Sequence, residues 1–137
     1  MATFNKFEQF VEDLGVKVHD LNADTLRVYI SNAAPSSSAD AVKADLATIT
    51  EENGYSAADV QNAFSQTSGT ATLTATDVVW TASGGSFGPG RYVALYNDTP
   101  SSPADPLIGW WDYGSSVTVL TGETFTVDFG ASVLTLA

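Results

Sequence analysis

Thr70-Ala71-Thr72-Leu73-Thr74-Ala75-Thr76 places threonine at every second position, with Ala, Leu and Ala between. That alternation is the mark of a strand with one face on a core and one face wet. Threonine, being β-branched, suits a pleated and half-buried surface. Downstream, Val78, Val79 and Trp80 interrupt the period, which predicts a bulge or a change of sheet. Gly84-Gly85-Ser86-Phe87-Gly88-Pro89-Gly90 predicts a turn. Residues 91–97 are apolar on both faces and predict a central strand. Residues 98–106 hold Pro100, Pro103 and Pro106 and predict an exposed loop. Residues 107–113 predict another strand. Residues 117–120 and 124–129 flank Thr121-Gly122-Glu123, the pattern of a hairpin. A last strand is expected over 133–136.

Upstream the signals are mixed. Thr25-Leu26-Arg27-Val28-Tyr29-Ile30 reads as a strand, and residues 32–39, with Pro35 and three serines, read as a loop. Asp40 is placed to cap a short helical turn over 41–47. Ser56 and Asp59 have capping-box spacing, with Val60 and Phe64 on one face. Phe4, Phe7, Phe10, Val11 and Leu14 recur at helical spacing, opposite Lys6, Glu8, Glu12 and Asp13. This predicts an amphipathic helix over 4–14, capped by Asn5 with Glu8 or by Thr3. Gly15 ends it, or Val18 and Leu21 continue its stripe after a kink. A helix this short is marginal alone in water, so its aromatic stripe must dock, on its own sheet or on a neighbouring subunit.

The pattern gives roughly seven strands with closely spaced turn signals. The expected fold is mainly β: an antiparallel β-sandwich or flattened barrel with an N-terminal amphipathic helix. A chain of 137 residues suits a single domain. Within 1–137, residues 1–21 form the helix or arm and residues 69–137 the main β core, where nine of the fifteen aromatics lie.

Charge narrows the function. Sixteen acidic residues face five basic ones, for a net charge of −11. Lys6, Lys17, Arg27, Lys43 and Arg91 are scattered, whereas binding a nucleic-acid backbone takes clustered cations. No nucleic acid and no membrane are expected as partners. No apolar run is long enough for a spanning helix, and the N-terminus lacks a signal-peptide pattern. With no cysteine, disulfides and thiolate chemistry are excluded.

Chemical motifs are sparse. Gly84-Gly85-Ser86-Phe87-Gly88 matches the G-x-S-x-G of a hydrolase nucleophile elbow, but that chemistry needs a helix after the serine and a later histidine. Here a strand pattern follows, and the one histidine, His19, lies upstream. His19 has no second His or Cys to share a metal and reads as a polar contact near a helix end. Asn97, Asp98, Asp105 and Asp112 are oxygen donors that suit calcium if they converge at one sheet edge, but they lack EF-hand spacing. No catalytic residue, no cofactor and no metal site are expected. In a strand, Trp111 and Tyr113 share one face and Trp110 takes the other with Ile108 and Asp112. One face must be core; the other leaves a Trp for a subunit interface, a second core layer or a sugar ring.

Several stretches together resemble a family of short structural proteins encoded by tailed bacteriophages. They are Asn5-Lys6-Phe7, Val18-His19-Asp20-Leu21, residues 81–89, residues 91–99, Pro106-Leu107-Ile108-Gly109-Trp110-Trp111-Asp112-Tyr113-Gly114 and Phe125-Thr126-Val127-Asp128-Phe129. The Tyr96-Asn97-Asp98 and Gly109-Trp110-Trp111-Asp112-Tyr113-Gly114 stretches are the most specific. The resemblance implies a virion component, with no catalytic motif to carry over. By analogy with other small β-rich head proteins, the expected role is a capsid cement or decoration protein, not an enzyme, that binds the major capsid protein and self-associates as a trimer. It would be assembled in the host cytoplasm and sit on the capsid exterior, where negative charge is kept away from packaged DNA. The alternative is a tail or neck module that binds the host surface or its glycans. Expected contact regions are Phe4, Phe7 and Phe10, the Trp110, Trp111 and Tyr113 segment, and the loops 33–39 and 97–106.

Overall fold

The computed structural model describes residues 2–137. Its elements in chain order are β1 (Asn5–Lys6), α1 (Glu8–Gly15), β2 (Leu26–Ser31), β3 (Ala58–Asp59), β4 (Ala63–Thr67) and β5 (Thr70–Thr74). They continue with β6 (Val78–Thr81), β7 (Phe87–Asn97), β8 (Leu107–Val119), β9 (Thr124–Val127) and β10 (Leu134–Leu136). The fold is mainly β with one short N-terminal helix, and its antiparallel sheets pack as a sandwich and do not close into a barrel. A five-stranded sheet runs β1-β8-β7-β2-β3, a three-stranded one β10-β5-β4, and β6 pairs with β9 alone.

Pairing in the large sheet sets its two faces. Ile30 lies opposite Val93, and Val93 opposite Trp111; in the next row Tyr29 lies opposite Ala94, and Ala94 opposite Trp110. Directly opposed residues share a face, so Trp110 and Trp111 look to opposite sides. The Trp110 side is covered by the N-terminal segment, with the Phe7 ring 4.7 Å from that of Trp110. The Trp111 side meets Phe129, at 5.6 Å. On that side Tyr55 joins the layers, its ring 5.2 Å from Trp80 and 5.4 Å from Phe87. Its hydroxyl accepts a hydrogen bond from the Ile30 N–H at 2.7 Å.

Several expectations are corrected by tertiary pairing. The helix begins at Glu8, not Phe4, because Asn5 and Lys6 pair with Trp110 and Gly109 at the edge of β8. Gly109 makes this possible: a Cβ there would run into the Phe4 ring. The N-cap is Phe7, with no side-chain cap, so neither Thr3 nor Asn5 plays that part. Beyond Gly15 the chain turns at Lys17, which takes φ 68°, and the Val18 N–H bonds back to the Asp13 carbonyl at 2.9 Å. This is a Schellman closure with lysine in the usual glycine position.

Asp40 does not cap a turn over 41–47; it accepts from the Ser36 N–H, while Asp45 accepts from the Ala41 and Val42 N–H groups of a 3-10 turn at Lys43–Asp45. No helix follows Ser56. Asp59 lies in β3 and accepts from the Gln61 N–H, a local turn bond. Residues 88–90 belong to β7, and Gly90 is required there because a Cβ would strike Ile30. The predicted hairpin at 121–123 does not form: β9 pairs with β6, with Val78 opposite Val127, so 78–80 is a change of sheet. β8 runs through both predicted strands, 107–113 and 117–120. Tyr92 lies opposite Asp112 but Gly90 opposite Val117, so residues 113–116 stand out of the ladder as a bulge. The core also reaches well before residue 69, with Phe7, Leu26, Val28, Tyr29, Leu46 and Tyr55 all buried.

Candidate functional site

The expected contact residues divide by burial. Phe7 is 0% exposed and Phe10 is buried against the His19 ring at 5.3 Å. Both are committed to this chain's own core, which removes them as contact residues. Phe4 is half-buried, 5.4 Å from Trp111. Trp110 and Trp111 are half-buried, and Tyr113 is 58% exposed on the bulge of β8. Loop 33–39 lies at the surface, as does most of 97–106, although Asn97 and Pro106 are buried.

Trp111 and Tyr113 wall an open groove of about 320 Å³, which Val93, buried, and Ala2 also line. Its other wall is Phe125, Thr126, Val127 and Asp128. Successive side chains of a strand point to opposite faces, so a groove touching four consecutive residues meets that segment along its edge. β6 occupies one edge of β9, and the other is unpaired among the described residues. The groove is therefore the space beside the free edge of β9, above the part of the large sheet that carries Trp111. The Tyr113 and Phe125 rings are 5.3 Å apart at its side. Trp111 and Tyr113 stand out in the sequence, whereas the hairpin pattern at 121–123 hides the wall formed by 125–128. The alternation of Phe125 and Val127 with Thr124 and Thr126 was the available signal.

A second polar cluster is buried and lies apart from the groove lining. His19 is 7% exposed. Its Nδ1 lies 3.1 Å from the Asn97 side-chain nitrogen, which also donates to Asp24 at 2.7 Å. An amide nitrogen only donates, so His19 Nδ1 accepts and the ring is neutral with its proton on Nε2. That Nε2 and the buried Asp13 Oδ2 have no hydrogen-bond partner among the described residues. Burial holds the His19 pKa below its ordinary value, against the opposing pull of Asp13 and Asp24.

Of the four oxygen donors considered for calcium, only Asp98 and Asp105 come together, and the four share no common point. Asn97 faces His19, Asp98 pairs with Arg27 at 2.9 Å, and Asp112 pairs with Arg91 at 2.9 Å. The Arg91 contact, with the Gly114 N–H, keeps the Asp112 carboxyl below the usual range. Burial and then the Asp98 charge push Asp105 up. Among the described residues no group of three metal-ligating side chains occurs. Ser86 directly precedes β7, so a strand and not a helix follows the elbow pattern, and the His19 ring is engaged with Asn97. No helix among the described residues is long and apolar enough to cross a membrane. Comparison with family models, with curated proteins and with solved structures gives no match.

Proposed function

We propose that this protein is a structural component of a tailed-phage virion, a capsid cement that associates with itself and holds the major capsid protein. The observation that carries this reading is positional. Gly109-Trp110-Trp111-Asp112-Tyr113-Gly114, the stretch most specific to the phage family it resembles, supplies Trp111 and Tyr113 to an open groove. A half-open aromatic wall is the composition of a protein-binding surface. A cement acts by linkage, because binding the assembled shell better than free subunits shifts the equilibrium toward the shell. Copies repeated on a lattice add avidity to weak single contacts.

A second reading is favoured by the same groove. Trp111 and Tyr113 beside Thr126 and Asp128 offer an aromatic platform with polar neighbours, which suits a sugar ring on a host surface. Copy number separates the two. Gel densitometry of purified virions is expected to give hundreds of copies for a head cement and only a few for a tail or neck part. Recombinant protein is expected to bind emptied heads and not host cells. Virions without this polypeptide would refute both.

A further inference from the structure

The sandwich is incomplete beside β9. The large sheet continues under Trp111, but the facing layer stops at β9, leaving an apolar floor and an unpaired strand edge together. A free edge presents backbone N–H and C=O groups to an incoming strand, and an adjoining apolar groove selects its alternate side chains. From this we infer that the groove takes an extended segment of a partner protein, added antiparallel or parallel to β9. The segment is apolar at alternate positions, to fill the space over Val93 and Trp111, and carries Lys or Arg beside Asp128.

Charge decides the occupant. Among the described residues Asp128 is the one charged residue in the lining and no cation lies there, and the whole chain carries −11. A second copy would bring a like charge and has no spare basic strand: Arg27 lies in β2 and Arg91 in β7, each strand flanked on both sides, and Lys6 lies in β1, an edge strand of two residues that is too short to fill the groove. The inference rests on the virion reading only in that the segment would then belong to the capsid shell.

The test uses the full chain and a labelled decapeptide alternating valine with lysine, compared with the same peptide carrying glutamate for lysine. Saturable binding of the lysine peptide is expected, with amide shifts confined to residues 111–113 and 124–128. Tyr113→Ala, at an exposed position, should weaken it at least about fivefold, as for a contact residue. Asp128→Asn keeps the acceptor for the Gly130 N–H at 2.8 Å and should weaken it about threefold, the scale of an exposed ion pair. Equal binding of the glutamate peptide, shifts elsewhere, or no saturable binding overturns the inference. So does protection of β9 on self-association. Virion copy number is independent of the groove: abundant protein in heads, still held there when Tyr113 is alanine, overturns the groove and leaves the cement reading standing.

Discussion

Replacing Phe7 with alanine tests whether the N-terminal segment is part of this fold or an arm meant for a neighbour. Phe7 is fully buried, and its ring packs on Trp110. Its N–H donates to the Ile108 carbonyl at 3.1 Å, so the backbone stays tied down when the ring is removed. Burial of a phenylalanine side chain contributes about 1.5–3 kcal/mol, and the aromatic contact about 0.5–1.5 kcal/mol more. With the cavity left behind, Phe7→Ala should cost about 3–5 kcal/mol. For a chain of this size that is a fall in Tm of roughly 10–20 °C. Urea unfolding followed by tryptophan fluorescence reads the loss directly, and Trp110 emission should shift to the red in the native variant. The cost must not depend on protein concentration, since the contact is within one chain. A loss below about 1 kcal/mol, far under the usual cost of such a deletion, would refute the docking. So would unchanged emission or a concentration-dependent midpoint.

Three further outcomes are expected. His19 has a lowered pKa in the folded chain, so below about pH 6.5 the unfolded state binds more protons and stability falls as pH drops toward the folded value; urea midpoints at pH 7.5 and 5.5 should differ, and His19→Gln should flatten that difference. Gly90→Ala drives a methyl onto Ile30 and should cost about 1–3 kcal/mol, whereas Gly15→Ala meets open space in a helical conformation and should gain about 0.5–1 kcal/mol, both by thermal melts. Lys17→Gly relieves a left-handed φ of 68° and should raise stability by under about 1 kcal/mol in the same assay.

The strands with clear alternation were legible because their period is imposed by burial. Residues 91–97 and 107–113 fall in β7 and β8 as read, and of the alternating stretch 70–76 the first five residues form β5. Partner choice was less visible. Thr121-Gly122-Glu123 looks like a hairpin loop locally, yet β9 goes to β6 because Phe125 and Val127 are buried there opposite Trp80 and Val78. Phe4 and Phe7 fit a helical stripe, but edge pairing at Trp110 draws residues 5 and 6 into a strand. The coil over 46–57 has no period at all. It is ordered by side-chain bonds, with Tyr29 donating to the Leu46 carbonyl at 2.8 Å and Tyr55 meeting Thr48 at 2.8 Å. The groove was half-legible for the same reason: Trp111 and Tyr113 stand out as residues, whereas a missing neighbour beside β9 is a property of the assembled layers.

The pairing of β1 with β8 also sets a timetable. Asn5 and Trp110 are 105 positions apart, so on a ribosome adding about 5–20 residues per second the leading aromatics wait roughly 5–20 s for their seat to be made. Through that interval Phe4 and Phe7, which pack on Trp111 and Trp110, are bare on the nascent chain. Production in a fast-translating host should then respond to chaperone supply more than the finished protein's own stability would suggest.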